Sequence, residues 1–474
     1  MNRMSGSGFV TRIVAGPYLK YLGLTLVLAW HSCLWFVPTT WPGTFLLDDR
    51  VTFSWLTALA GTVVTVGLLA VVLGRTGHLP PHRGLPVAAG AVGCAATLLA
   101  TLGAPVTGRG VTIGASALAG MSAGLLWVLW GERHACQRSG FGMRHIAPVY
   151  GITMLVSIGI AYFAPGVISP VVVSLMPLLS GLLLALSWTR APVQPFPAVL
   201  PRKTGLQGLF TIVTVGFISF VAAVASYFTV AIVPWVDLDG VGRSFTMGVA
   251  IGAVFVMAIG VVQRMLPWHP TVFRFFPWLL FFAIIACLMC ALGARDDFAA
   301  FLLALAVSSA FEVLLIMYMA RLTLAGYVPA ATAFGVSAVA IRLGILLGNA
   351  LALTYERTSD WLQMLTAPTS MIFAAILAGL LIPLVRQEYT INDLARSPQA
   401  ASEWTTMVER TAEEFRLSER ETQIVSMLGH GYTAAAVAEK LVISVHTVNT
   451  HIQHIYDKMG IHKRAELLDY LNMH

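Results

Sequence analysis

From position 17 to position 386 the chain repeats one pattern: a run of about twenty apolar residues, a short polar break, then another run. No other feature narrows the fold so far. A bilayer's hydrocarbon core is about 30 Å thick, and a helix rising about 1.5 Å per residue needs roughly 20 apolar residues to cross it. In lipid the backbone must satisfy its own hydrogen bonds, which a single run achieves only as a helix. Twelve runs are read, near 18–37, 51–73, 85–103, 111–130, 146–164 and 167–188, then near 207–233, 244–262, 272–293, 298–320, 329–354 and 365–385. With 57% hydrophobic and 11% charged residues, the composition excludes an ordinary soluble enzyme.

A basic stretch, Arg190 to Lys203, carries Pro192, Pro195, Pro197 and Pro201, cannot continue a helix, and divides the runs into two sets of six. Orientation follows from Lys and Arg, which are retained on the cytoplasmic face. Fifteen fall in one set of loops, from Arg3 through Arg133 and Arg321 to Arg386, against Arg50, Arg109, Arg243, Arg295 and Arg357 in the other. Both termini are therefore expected in the cytoplasm of a bacterial cell, with the chain in its inner membrane. Twelve spans, an even number, agree with that. Met1 to Lys20 is polar and basic, so the first span is expected to stay inserted as an anchor.

Cys33, Cys94, Cys136, Cys287 and Cys290 lie in or beside spans and give no disulfide framework; the pair Cys287 and Cys290 is read as packing. No metal site and no cofactor are expected. Gly120 and Gly124, Gly248 and Gly252, and Gly344 and Gly348 allow close helix approach. Trp35, Trp41, Trp127, Trp130, Trp235, Trp268 and Trp278 are read as an interfacial belt.

Charges at membrane depth are costly. Glu312 in the tenth run and Arg342 in the eleventh lie near the middle of their spans, at similar depth, where they can pair. Either they face a central ligand or coupling site, or they lock two helices together. His31 in the first run is read as a hydrogen-bonded core residue. Two sets of six spans with a cytoplasmic connector resemble the major facilitator layout. The loop Gly74 to Gly84 lacks the acidic residue usual in that superfamily.

Past Arg386 the composition turns polar and acidic. The expected division is a membrane domain over 1–386, an acidic cytoplasmic linker over 387–413 and a four-helix domain over 414–474. Ser418 with Glu421 forms a capping-box pattern ahead of Ile424, Val425 and Leu428. Thr433 caps a short helix with Val437, Ala438 and Leu441 inward. Ser444 caps a third, where Val448, Ile452, Ile455 and Met459 share one face and Gly460 closes it. The opposite face offers His446, Asn449, Thr450, Gln453 and Asp457. Asn and Gln suit paired hydrogen bonds to adenine in the major groove. A fourth helix from about Lys463 carries Leu467, Leu468 and Leu471.

The run Leu417-Ser418-Glu419-Arg420-Glu421, then Gly431, Val437 to Leu441, Ile443-Ser444, Thr447 to His451, Ile455 to Gly460 and Arg464 resembles the LuxR-type DNA-binding domain of bacterial regulators. The resemblance implies a helix-turn-helix whose third helix enters the major groove and whose fourth pairs two copies. It places Asn449, Thr450 and Gln453 at base-reading positions, Ser444, His446 and Thr447 beside them, and Lys458, Lys463 and Arg464 nearer phosphates. From Arg416 onward six basic residues meet six acids, so a single copy should bind DNA feebly.

The expected fold is all-α: a polytopic twelve-helix bundle of two six-helix halves plus a C-terminal helix-turn-helix domain. The expected function is a one-component membrane regulator, not an enzyme, with double-stranded DNA, the bilayer, a small-molecule ligand and a second copy of itself as partners. The rival is a secondary transporter with a regulatory tail.

Overall fold

The computed structural model describes residues 19–42, 50–76, 78–79, 83–137, 143–190, 202–232, 241–265, 272–293, 297–324, 326–358, 364–386, 407–429 and 432–473. Among them every regular element is a helix. The chain divides into two compact units, Met1–Ala395 and Arg396–His474.

The first unit holds α1 (Leu22–Phe36), α2 (Arg50–Thr76), α3 (Gly84–Thr101), α4 (Arg109–Gln137), α5 (Met143–Phe163) and α6 (Ile168–Arg190). A second set follows: α7 (Arg202–Ile232), α8 (Val241–Met265), α9 (Phe276–Ala291), α10 (Asp297–Leu324), α11 (Ala330–Thr358) and α12 (Thr366–Arg386). Among the described residues eleven helices are long and apolar enough to cross a membrane, and the shorter Phe276–Ala291 is the twelfth apolar helix. A 3₁₀ turn, Val272–Phe275, leads into α9, where Pro277 fits the first turn. At about 1.5 Å per α residue and about 2 Å per 3₁₀ residue, turn and helix together reach roughly the bilayer thickness. This is a multi-pass membrane protein.

Packing repeats with a shift of six helices. α2 packs on α4 as α8 does on α10, α3 on α6 as α9 on α12, and α1 on α5 as α7 on α11. The halves meet through α2 against α11 and α5 against α8, which are the same contact seen from each side. Small residues make this closeness possible. A Cβ at Gly120 would lie 1.9 Å from the Ala58 carbonyl oxygen on α2, and one at Gly348 would lie 2.5 Å from the Val224 carbonyl on α7.

The tryptophans depart from the belt reading. Trp30, Trp35, Trp41, Trp127 and Trp130 are all buried in the bundle. Four of these indoles donate inside the protein: Trp30 to Thr97 (3.0 Å), Trp41 to the Leu34 carbonyl (2.7 Å), Trp127 to the Phe334 carbonyl (3.2 Å) and Trp130 to Ser180 (2.9 Å). A satisfied N–H lets the ring leave the interface. Trp278 is exposed as a belt residue should be, whereas Trp235 and Trp268 lie outside the described residues. Cys287 is buried beside Thr229, and Cys290 accepts from Ser370, so both serve as packing groups.

In the second unit residues 407–414 are helical (α13), followed by α14 (Glu419–Gly429), α15 (Ala434–Leu441), α16 (Val445–Met459) and α17 (Arg464–Met473). Most of the expected linker lies outside the described residues. Its last residues, however, bury Val408 and Thr411 and belong to this compact unit. The capping box is reciprocal: the Ser418 amide donates to Glu421 Oε2 (2.7 Å), and the Glu421 amide donates to Ser418 Oγ (3.3 Å). Thr433 and Ser444 each accept an amide of the first turn of their helices, from Ala436 (3.2 Å) and Thr447 (3.0 Å). The core is Ile424, Val425, Leu428, Val437, Ala438, Val448, Ile455, Met459, Leu467 and Leu471. It holds α16 by one face only.

Candidate nucleic-acid interface and membrane cavity

α16 buries Val448, Ile455 and Met459 and leaves His446, Asn449, Thr450, Gln453, His454 and Asp457 exposed along its other side. Ser444 fixes where the helix begins and also shares a 2.8 Å hydrogen bond with the Thr447 hydroxyl. The Thr450 hydroxyl donates back to the His446 carbonyl (3.1 Å). Asn449 and Gln453, one turn apart, are the side chains with paired donor and acceptor groups on this face. His454 joins the face at helical spacing from Thr450. The sequence reading omitted it, although the i+4 rule gave the signal.

The cations are mostly spent inside the unit. Lys458 Nζ donates to Glu421 Oε2 (2.6 Å) and to the Arg416 carbonyl (3.2 Å), fastening α16 to the start of α14. Arg464 donates to the Leu428 carbonyl (3.1 Å) at the far end of α14. Arg420 donates to the Leu441 carbonyl (3.0 Å), and Lys440 to the Tyr432 hydroxyl (2.7 Å). Lys463 stays 70% exposed beside Glu466. Burial alone would raise the Glu421 carboxyl, but hydrogen bonds from Lys458 and Ser418 outweigh it and hold the group below the usual carboxylate range.

In the first unit a cavity lies between the halves and takes lining from both. Its cavity volume is about 40 Å³. α10 contributes Glu312 and α11 contributes Arg342, which donates to the Glu312 carboxylate. The Arg342 guanidinium lies 4.8 Å from the centre of the Trp127 ring on α4, and Trp127 in turn donates to the Phe334 carbonyl of α11 (3.2 Å). His31 and Trp55 from the first half, with Tyr150 and Tyr227, complete the polar and aromatic wall.

Residues 416–471 match the family described as bacterial regulatory proteins, luxR family. The C-terminal domain is a LuxR-type helix-turn-helix. Over 61 residues it is 41% identical to the oxygen regulatory protein NreC of Staphylococcus aureus, strains bovine RF122 / ET3-1 and MRSA252, an alignment covering 13% of this chain. The chain spans 28% of the length of these relatives. The LuxR-type domain thus supports a role in transcription regulation through DNA. Over 76% of this chain and 98% of the other, the fold is similar to a bacterial homologue of the iron transporter ferroportin in its outward-facing state, with TM-score 0.51 and 13% identity.

One constellation escaped the sequence reading. The span read as 111–130 continues as helix to Gln137 and carries Glu132, Arg133 and His134, all buried. Arg133 donates to the Ser187 hydroxyl (2.9 Å) and carbonyl (2.7 Å) of α6 and sits 4.8 Å from the Trp188 ring centre. Glu132 accepts the Leu79 amide (3.0 Å), and His134 stacks on Trp130 with ring centroids 5.4 Å apart. Arg133 had been counted as a loop charge. Hydropathy falls over these residues, and nothing in the sequence shows that α6 supplies their partners. They bind α4 to α6 within the first half.

Proposed function

We propose that this chain is a membrane-embedded one-component transcription regulator, without catalytic activity, that reads double-stranded DNA with its LuxR-type domain and senses a small molecule in the cavity between its halves. The observation that carries the reading is one chain holding both an exposed Asn449–Gln453 face on a half-buried recognition helix and a membrane cavity built around the Glu312–Arg342 pair. Asn449, Thr450 and Gln453 read bases, with Ser444, His446 and Thr447 at the helix start. Lys463 lies toward phosphate, while Lys458 and Arg464 hold the domain's shape first. Both termini face the cytoplasm of the bacterial inner membrane, where DNA is accessible. Two copies pair through α17 on DNA, because one copy with balanced charge grips phosphate weakly.

A ligand moves such a system only by binding one conformation more tightly than the other. The test is to map genomic sites crosslinked to the wild-type protein and to the Asn449→Ala/Gln453→Ala variant. Discrete sites lost in the variant are expected; identical maps, or no sites at all, refute DNA reading by this face.

The second reading is a secondary transporter with a regulatory tail, and the fold likeness to a transporter homologue favours it. Glu312 and Arg342 would then be coupling residues. Uptake of substrate by vesicles holding the intact chain would establish it.

A further inference from the structure

The lining of the membrane cavity combines an ion pair, hydroxyls and aromatic rings. Glu312 and Arg342 come from the second half with Ser219, Ser308, Ser309, Tyr227 and Phe311; the first half adds His31, Ser32, Phe36, Trp55 and Tyr150. The packing repeat relates α10 and α11 to α4 and α5, which contribute Trp127 and Tyr150 around the same space. The ion pair thus sits on the second-half side, while hydroxyls and rings line the space from both halves. A ligand fitting both must have a polar head and an apolar body.

The charges decide what the head is. Glu312 and Arg342 neutralise each other, so the lining has no net charge when His31 is neutral. A ligand bringing a single charge would leave one ion uncompensated at membrane depth, a severe cost. A head carrying one charge of each sign replaces each partner like for like. The described contact uses one carboxylate oxygen and one guanidinium nitrogen, so further donor and acceptor capacity remains on both groups.

We propose that the cavity binds a net-neutral zwitterion of amino-acid size, its carboxylate on Arg342, its ammonium on Glu312 and its apolar body against Phe36 and Trp55. This rests on the reading of the cavity as the sensing site. The pair joins neighbouring helices, so entry of the head between its members displaces α11 from α10. α11 is also the helix that packs on α2 across the halves. Binding and movement are thereby the same event.

The test uses the purified full-length protein in nanodiscs and three probes of one shape: L-phenylalanine (zwitterion), L-phenylalaninamide (cation) and N-acetyl-L-phenylalanine (anion). Titration should show the zwitterion binding at least about tenfold more tightly than either charged analogue, as the cost of one unpaired ion requires. In Glu312→Gln that preference should invert toward the anion, because Arg342 then lacks a partner. Wild-type protein that binds a charged analogue as well as the zwitterion, or binds none of the three, overturns the assignment. If Glu312→Gln does not fold, the wild-type ranking alone decides. Should no probe bind while the charge-neutral double variant Glu312→Gln/Arg342→Gln, shown to be folded by thermal unfolding, still changes genomic occupancy, the ligand class is wrong and the sensing site stands; should occupancy also stay unchanged, both fail.

Discussion

Glu312 with Arg342 in the membrane unit, and Glu421 with Lys458 in the LuxR-type domain, are the same chemical pair in two surroundings. In the first, both side chains are shielded, at 20% and 7% exposure, and no backbone cap shares the work. In the second, Lys458 keeps 39% exposure, and Glu421 also closes the capping box of α14. Removing two ions from water costs several kcal/mol each, and their attraction repays it only with good geometry. Near water the cost is small and so is the gain. The membrane pair is therefore expensive to keep, which points to a task beyond stability. The tail pair is a fastener that draws α16 onto α14 and so sets the pose of its exposed face.

Four measurements would break or sharpen that contrast, the largest first. Arg342→Gln should destabilise the full chain by about 3–5 kcal/mol, since it strands a buried carboxylate. Thermal unfolding in detergent reads this, and Glu312→Gln/Arg342→Gln should recover most of the loss. Equal losses in the single and double variants would mean that the two groups are not coupled.

Gln453→Ala should weaken binding to a duplex selected by the wild-type domain by about 1–3 kcal/mol, with little change on random duplex. Fluorescence anisotropy at fixed salt is the measurement, and an equal loss on both duplexes would remove Gln453 from base reading. A third variant should gain stability. Val442 ends α15 in the left-handed region at φ 53° and is 88% exposed. Such a backbone costs an L-residue roughly 1–2 kcal/mol, so Val442→Gly should raise the urea midpoint of the C-terminal unit unless the valine packs against something outside it.

The smallest effect is on pH. The Glu421 carboxyl is lowered in the folded state, so its stabilising contribution is complete above the unfolded value, near 4.3, and disappears as pH falls through the lowered one. Glu421→Gln should be less stable at neutral pH and lose less on acidification. A wild-type unfolding profile that is flat through that acid range would count against the fastener.

Much of the fold was legible because lipid allows so few solutions. Periodic apolar runs predicted twelve helices, and the structure supplies eleven long ones and a shorter one completed by a 3₁₀ turn. In the tail, Ser418, Thr433, Ser444 and Gly460 marked helix ends because capping is local chemistry. Depth counting placed Glu312 level with Arg342, and the structure pairs them. What stayed hidden depends on partners distant in sequence. Arg133 is buried with Ser187 as its partner, and Trp130 is buried with its N–H accepted by Ser180. That Glu421 engages Lys458 and the Leu428 carbonyl engages Arg464 is likewise not visible in the sequence.

That internal use of positive charge has a cellular consequence. A regulator fixed in the envelope with a strong indiscriminate hold on duplex would pin whatever chromosome drifted past, and every copy would become an unintended anchor. With Arg420, Lys440, Lys458 and Arg464 engaged by partners in their own domain, the proposed regulator would release most encounters at once. On the proposed pairing of two copies, only a matching locus would then be held against the membrane.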